Sequence, residues 1–359
     1  MTTNLLRRCL LASALVAATV VPGLVTGGAA SAVGASTCPS ILVTNTQADS
    51  VVSLTATNPP ADGVSTSVGA VPIGVAATTD GRWALVTNFA SDDVSMIDLT
   101  TGVVAATIPT GASPYGVAIT SDGTRAFVTN YNAATVSVLD LVTRTHLTDI
   151  AVGNNPWDVT ITPDGSSLWV SNSASDTLST ISTATLIKDP VDISVPGTPT
   201  EIAFTPDGTT AYVPLNGGHF VATVDVATRT KDPSDIAVGS NPSGVVFSPD
   251  GSTAYVANNG SVTISVIDVA TRTVTIPGLT VGSAPRSLVL SPDGSTLWIS
   301  LTGSGHVVAV DVSGTPVVGS EVAIGQQVMG IAYAPCIPPP PTTTTTTIAP
   351  SPIAPAFTG

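Results

Sequence analysis

Trp157-Asp158, Thr200-Glu201 and Arg286 each follow a proline that recurs along the chain, so one repeated place holds an aromatic ring, two carboxyls and a guanidinium. Such a set suits recognition of a small polar or sugar-like molecule. The ring would supply contact area and the charged groups would fix orientation. Tyr115 holds the same place in another unit, and Ile73 and Ser243 hold it in two more. Phe89, Tyr131, His219 and His306 come from loops expected on the same face. The ligand-binding candidates are therefore Tyr115, Trp157, Asp158, Glu201, Arg286, His219 and His306. The plain alternative is that these loops drift without function, since loops tolerate change as readily as they carry sites.

No catalytic residue is assigned from the sequence, and no metal or cofactor is expected. The chain has three His, with no short metal-binding spacing, no Cys-x-x-Cys-His and no Gly-x-Ser-x-Gly. Two enzyme readings stay open. A metal-assisted lactonase of the gluconolactonase type would need carboxylate ligands, for which Asp158 and Glu201 are the candidates. A lyase of the streptogramin-lyase type would use Glu201 with His219 or His306 and a divalent cation.

The elements that must position these residues are set by a repeat. Asp-Gly pairs begin at 80, 122, 164, 207, 250 and 293, a spacing of 42 or 43 residues, which is the period of propeller blades. The unit beginning at Ser243 reads as four strands, GVVFS, TAYVAN, TISVIDV and TIPGLTV, bounded by turn formers. Pro-Asp-Gly suits the hairpin between the first two, because Pro presets φ, Asp bonds local backbone and Gly tolerates positive φ. Leu85, Phe127, Trp169, Tyr212, Tyr255 and Trp298 recur five residues past each Asp and are expected to pack blade on blade. Most other Asp fall at repeated turn positions; Asp62, Asp93, Asp158, Glu201 and Glu321 do not.

A seventh unit is split between the ends. MGIAYAP would supply its first strand and CPSILVTNTQADSVVSLT the next two, closing the ring without a free edge. The expected fold is therefore all-β: a seven-bladed propeller over 33–337, with four-stranded antiparallel blades and one blade shared by the termini. Aligned on the repeat, Cys336 takes the Asp position of the missing turn and Cys38 its Gly position. A disulfide between them would replace that turn.

Residues 1–32 read as a signal peptide: Arg7-Arg8, an apolar run from Leu10 to Val21, and Ala30-Ser31-Ala32. Secretion follows as the expected location, with envelope association open. Removing that leader deletes two Arg and no acid, which takes the formal charge from −14 to −16. Such a surface repels phosphate backbones, so nucleic acid is not an expected partner. Residues 338–359 are Pro- and Thr-rich, a spacer composition ending in PAFTG, which resembles a sortase sorting pentapeptide but has no hydrophobic or basic tail after it.

ALVTN at 84–88, AFVTN at 126–130 and LVTN at 42–45, with partners VSVLD and ISVID, resemble the YVTN family of β-propeller repeats. That resemblance spans Cys38 to Cys336 and implies a secreted or surface-layer propeller, but no shared reaction. The function expected is an extracellular binding module, a monomer whose partner is a protein, glycan or small molecule met at the channel mouth. A structural surface-layer role is the third alternative.

Overall fold

The computed structural model describes residues 40–61 and 63–336. The expected signal peptide, the tail and the residues Cys38 and Asp62 lie outside the described residues.

Seven antiparallel sheets follow one another along the chain. Blades 1 to 6 occupy 72–109, 114–151, 156–194, 203–237, 242–280 and 285–323. Blade 7 joins the C-terminal strand Val328–Ala334 to Ser40–Asn45, Ser50–Thr55 and Val64–Ser67, with Ser40 opposite Ala334 and Ile41 opposite Tyr333. First strands of neighbouring blades pack on one another around the central channel. The chain is thus a seven-bladed propeller closed by a blade that both ends share.

Burial explains the strand patterns. The second and third strands lie between neighbouring blades and are covered on both faces, so they read as nearly unbroken apolar runs, as in Thr253–Asn258 and Thr263–Asp268. Outer strands meet solvent on one face and alternate, as in Val103–Pro109. The large residue of the second strand is the wedge between blades. Trp169 and Trp298 are only 1% and 2% exposed; Trp169 meets Phe204 of blade 4, Tyr212 meets Phe247 of blade 5, and Trp298 stacks on Tyr333 of blade 7.

The repeated Asp does turn chemistry. Asp293 accepts from Ser291 Oγ and from the Ser295 N–H at 3.0 Å, and the same pattern around Asp164 holds both carboxyls down at about 2. Blades 3 and 4 depart from the expected four full strands. Their outer strands shrink to Ile193–Ser194 in one, and to Thr230–Lys231 and Ile236–Ala237 in the other. Pro190 and Pro233 lack the N–H a ladder needs. Ion pairs brace the gap, Lys188 to Asp192 at 2.6 Å and Arg272 of blade 5 to Asp232 at 2.6 Å.

A girdle of hydroxyls fastens each blade to the next beside the channel. Thr87 Oγ1 donates to the Tyr115 carbonyl at 2.7 Å, Thr129 to Trp157 at 3.1 Å, and Ser300 to Met329 at 2.9 Å. In blades 4 and 5 the second strand has Pro214 and Ala257 at that position. The hydroxyl moves to the first strand instead: Thr200 donates to the Ser243 carbonyl and Ser243 to the Arg286 carbonyl, each at 2.9 Å. The carbonyl that is clasped belongs, in each blade, to the residue that follows the recurring proline or its Val328 equivalent.

Candidate functional site

Each first strand enters the channel through a left-handed residue, among them Asn155 (φ 50), Thr198 (φ 62) and Ala284 (φ 52). The proline comes next, then the residue whose carbonyl the girdle holds, and then a position where space is set by the neighbouring blade. In four blades that position is Gly. A Cβ on Gly74 would lie 2.3 Å from the Tyr115 carbonyl oxygen, and one on Gly330 would lie 2.4 Å from that of Ile73. Blades 3, 4 and 6 carry Asp158, Glu201 and Ser287 there instead.

These departures interlock. Asp158 Oδ2 accepts from the Ile202 N–H at 2.9 Å and from Thr160 Oγ1 at 3.2 Å, while Thr160 also donates to the Ile202 carbonyl at 3.0 Å. That bracing replaces ladder bonds, because the first strand of blade 4 is regular only at Ala203–Phe204. Held this way, Glu201 extends its carboxyl over blade 5, where Gly244 makes room; a Cβ on Gly244 would sit 2.9 Å from Glu201 Oε2. Ser287 of blade 6 and the Val245 N–H lie beside that carboxyl and favour its charged form.

Arg286 crosses the mouth in the other direction. Its Nη2 donates to the Tyr115 hydroxyl, and its guanidinium lies 5.0 Å from the Trp157 ring centre and 5.9 Å from that of Tyr115. Tyr115 and Trp157 are themselves in contact, 4.6 Å between centroids, and Phe89 and Tyr131 extend the aromatic cluster. Trp157 is therefore no bare platform: its ring already meets Tyr115 and Arg286.

The resulting cavity, about 220 Å³, is lined by Tyr115, Trp157, Asp158, Thr160, Glu201, Arg286 and Ser287, with apolar walls from Ile73, Ile202 and Met329. Five of the seven candidate residues come together there. His219 and His306 do not line it; His306 Nδ1 instead lies 3.7 Å from Glu321 Oε2 at the outer part of blade 6. Ser287 and Gly244 escaped the sequence reading. Their signal was available, since Ser287 holds the repeat position of Asp158 and Glu201, and Gly244 is the gap beside them.

Burial pushes the Glu201 carboxyl up to about 8, with the Asp158 charge adding to the rise and Ser287, Arg286 and the Val245 N–H opposing it. Burial also raises Asp158, against hydrogen bonds from Ile202, Val159 and Thr160. At neutral pH the cavity thus holds a protonated carboxyl and a guanidinium. Among the described residues no three His, Cys, Asp or Glu side chains gather, so the donor set imagined for Glu201 with His219 or His306 is not assembled there.

A family model described as YNCE-like beta-propeller matches residues 117–329, more than half of the chain. No curated protein matches. Among solved structures, Kuenenia stuttgartiensis hydrazine synthase aligns at a TM-score of 0.67 with 22% identity, over 74% of this chain and 90% of that one. A functionally unknown protein from Desulfotomaculum acetoxidans aligns at 0.70 with 19% identity, over 82% and 98%. The periplasmic gluconolactonase of Pseudomonas aeruginosa aligns at 0.70 with 16% identity, over 84% and 99%. At such identities these likenesses show the fold.

Proposed function

The chain belongs to the YNCE-like β-propeller family, and from that premise we propose that it is a secreted binding module whose channel mouth takes a small polyhydroxylated molecule. The observation that carries this reading is the cavity itself. The residues that break the repeat, from blades 2, 3, 4 and 6, line one space, and there they combine aromatic rings, carboxyls and a guanidinium. At about 220 Å³ it lies below the roughly 300–1,000 Å³ of drug-sized sites, which suits a metabolite of monosaccharide size rather than a peptide. Aromatic edges, a neutral carboxyl, a hydroxyl and a guanidinium are the groups that pair with sugar hydroxyls. The leader-like 1–32 and the YVTN-like strands support placement outside the cell. Calorimetric titration of the full chain against sugars, polyols and sugar acids tests the reading. Binding at micromolar to millimolar Kd that Trp157→Ala weakens at least tenfold is expected; no binding by any class would overturn it.

A second reading, hydrolysis of a sugar lactone, is favoured by one observation: Glu201 stays protonated to about 8 beside a second carboxyl. The name of the P. aeruginosa neighbour points the same way. In that reaction Asp158 would take a proton from water as its oxygen bonds to the lactone carbonyl carbon. Arg286 would face the oxyanion, and Glu201 would protonate the ring oxygen as its bond to that carbon breaks. Acid release from a six-carbon 1,5-lactone, followed by pH-stat, should exceed the spontaneous rate and fall to it in Glu201→Gln. No excess rate in the parent protein would remove this reading and leave the first intact.

A further inference from the structure

We propose that the ligand of the channel mouth carries a carboxylate, and that Arg286 receives it: a sugar acid or similar hydroxy acid, not a neutral sugar. This rests on the reading of the mouth as a small-molecule site and names the chemistry that site selects.

The first ground is the distribution of cations. Among the described residues, Arg82 and Arg125 flank turns between first and second strands, and Arg144, Arg229 and Arg272 sit in turns between third and fourth strands. Both kinds of turn lie on the face opposite the mouth. Lys188 and Lys231 belong to the outer parts of blades 3 and 4. Arg286 is the mouth's one Lys or Arg among the described residues.

The second ground is pairing. Arg229, Arg272, Lys188 and Lys231 each hold an Asp, whereas Arg82, Arg125, Arg144 and Arg286 have no carboxylate within 4.0 Å among the described residues, and of these Arg286 lines the mouth cavity. Asp158 is held by the Ile202 N–H and Thr160, and Glu201 points over blade 5 beside Gly244, with neither carboxylate within 4.0 Å of Arg286. Burial also keeps Glu201 protonated to about 8, so at neutral pH it does not compete as a counter-ion. A partly buried guanidinium without an anion is costly unless one is supplied.

The third ground is geometry. Trp157 and Tyr115 meet the guanidinium through their rings, the Tyr115 hydroxyl takes one donor, and Arg286 lines the cavity. A planar fork held this way matches a carboxylate, which it can bind through two parallel hydrogen bonds. One guanidinium balances one negative charge; a phosphate dianion would leave a second charge facing Asp158.

Titration calorimetry of the full chain with D-gluconate, D-glucuronate, glucose, sorbitol and inorganic phosphate tests this, with folding of every variant checked by thermal melting. At least one sugar acid should bind roughly tenfold or more tighter than glucose and sorbitol, as a charge-assisted pair implies. Arg286→Gln should abolish that preference. Tyr115→Phe, which removes the hydroxyl that holds the guanidinium in place, should weaken the acid severalfold. If glucose binds parent and Arg286→Gln as well as the acids do, the carboxylate proposal falls and the sugar site stands. Tighter binding of phosphate than of either acid also overturns it. If nothing binds, both the proposal and the reading beneath it fall.

Discussion

The two faces of the propeller use the same strands to opposite ends. On the turn face, a carboxylate recurs at 80, 122, 164, 207, 250 and 293 and each time accepts local hydrogen bonds, as Asp80 does from the Arg82 N–H at 3.0 Å and Asp250 from Ser252 at 3.0 Å. On the mouth face, the place after the proline changes in every blade: Ile73, Tyr115, Trp157, Thr200, Ser243, Arg286. Only the backbone carbonyl there is held constant, by the hydroxyl girdle. Where the chain repeats a residue it is building a blade; where it repeats only the backbone, the side chain can carry chemistry, except at Thr200 and Ser243, whose hydroxyls join the girdle.

The largest effect expected from this contrast comes from comparing two tryptophans. Trp298, 2% exposed and stacked on Tyr333, is framework, and Trp298→Ala should cost about 3–5 kcal/mol by emptying a core site. Trp157 lines the cavity, and Trp157→Ala should cost clearly less stability while removing ligand binding. Denaturant titration beside calorimetry separates the two; equal loss of stability in both would break the division between faces.

The next largest belongs to the one turn that the chain does not make. Pro335 abuts Gly81 of blade 1 as Pro249 abuts Gly294, so Cys336, which is exposed, stands where other blades have Asp. In the alignment of the repeat, Cys38 takes the Gly position of that same turn. A bond between them should stabilise the ring by about 2–4 kcal/mol. Cys336→Ser should then melt lower under oxidising conditions, and the parent protein, denatured without reductant, should take up no alkylating agent at either thiol. Adducts at both Cys38 and Cys336 would show the ring closed by strand pairing alone.

Protonation should separate the faces again, with a smaller effect. Glu201 is raised from 4.5 to about 8 by the fold, so the native state holds a proton there that the unfolded chain has lost. Stability should therefore fall as pH rises from about 4.5 to 8, by roughly 2–4 kcal/mol after allowance for solvent reaching the cavity. Glu201→Gln should flatten that slope. The turn carboxylates act with opposite sign. Asp164 and Asp293 lie at about 2, below the ordinary carboxyl value of 3.8, so their contribution is present above 3.8 and fades as pH drops towards 2. Melting temperatures from pH 3 to 9 check both limbs; an unchanged alkaline slope in Glu201→Gln would mean that its proton is not held by burial.

The architecture was readable because propeller blades repeat their turn and their wedge residue, and six near-copies leave little freedom for the seventh. Subtracting that repeat also isolated Tyr115, Trp157, Asp158, Glu201 and Arg286, which do share a cavity. It misplaced His219 and His306 because it counted faces and not radius. His306 opens the third strand of its blade and His219 immediately precedes one, two strands out from the channel, or about 9–10 Å at the usual strand spacing. Phe89 and Tyr131 start from second strands and have rings long enough to reach inward. The interruption of the outer strands in blades 3 and 4 was written in Lys-Asp-Pro, yet only the ion pairs from the next blade show how the gap is held.

The finest test sets two glycines against each other. Gly244 is at the mouth, where a Cβ would meet the Arg286 carbonyl at 2.5 Å and Glu201 Oε2 at 2.9 Å; Gly165 is in a turn, at φ 73 with nothing within 4 Å. One is glycine for lack of space and the other for its backbone conformation alone. Asn tolerates the left-handed region better than most residues, so Gly165→Asn should cost less than about 1 kcal/mol. Gly244→Ala should cost more, because it presses on a carbonyl clasped by Ser243, and it should also shift ligand affinity by displacing Glu201. The affinity measurement decides the matter. If Gly244→Ala and Gly165→Asn lose similar stability and neither alters binding, then the space beside Glu201 is ordinary blade packing, and the mouth is framework like the face beneath it.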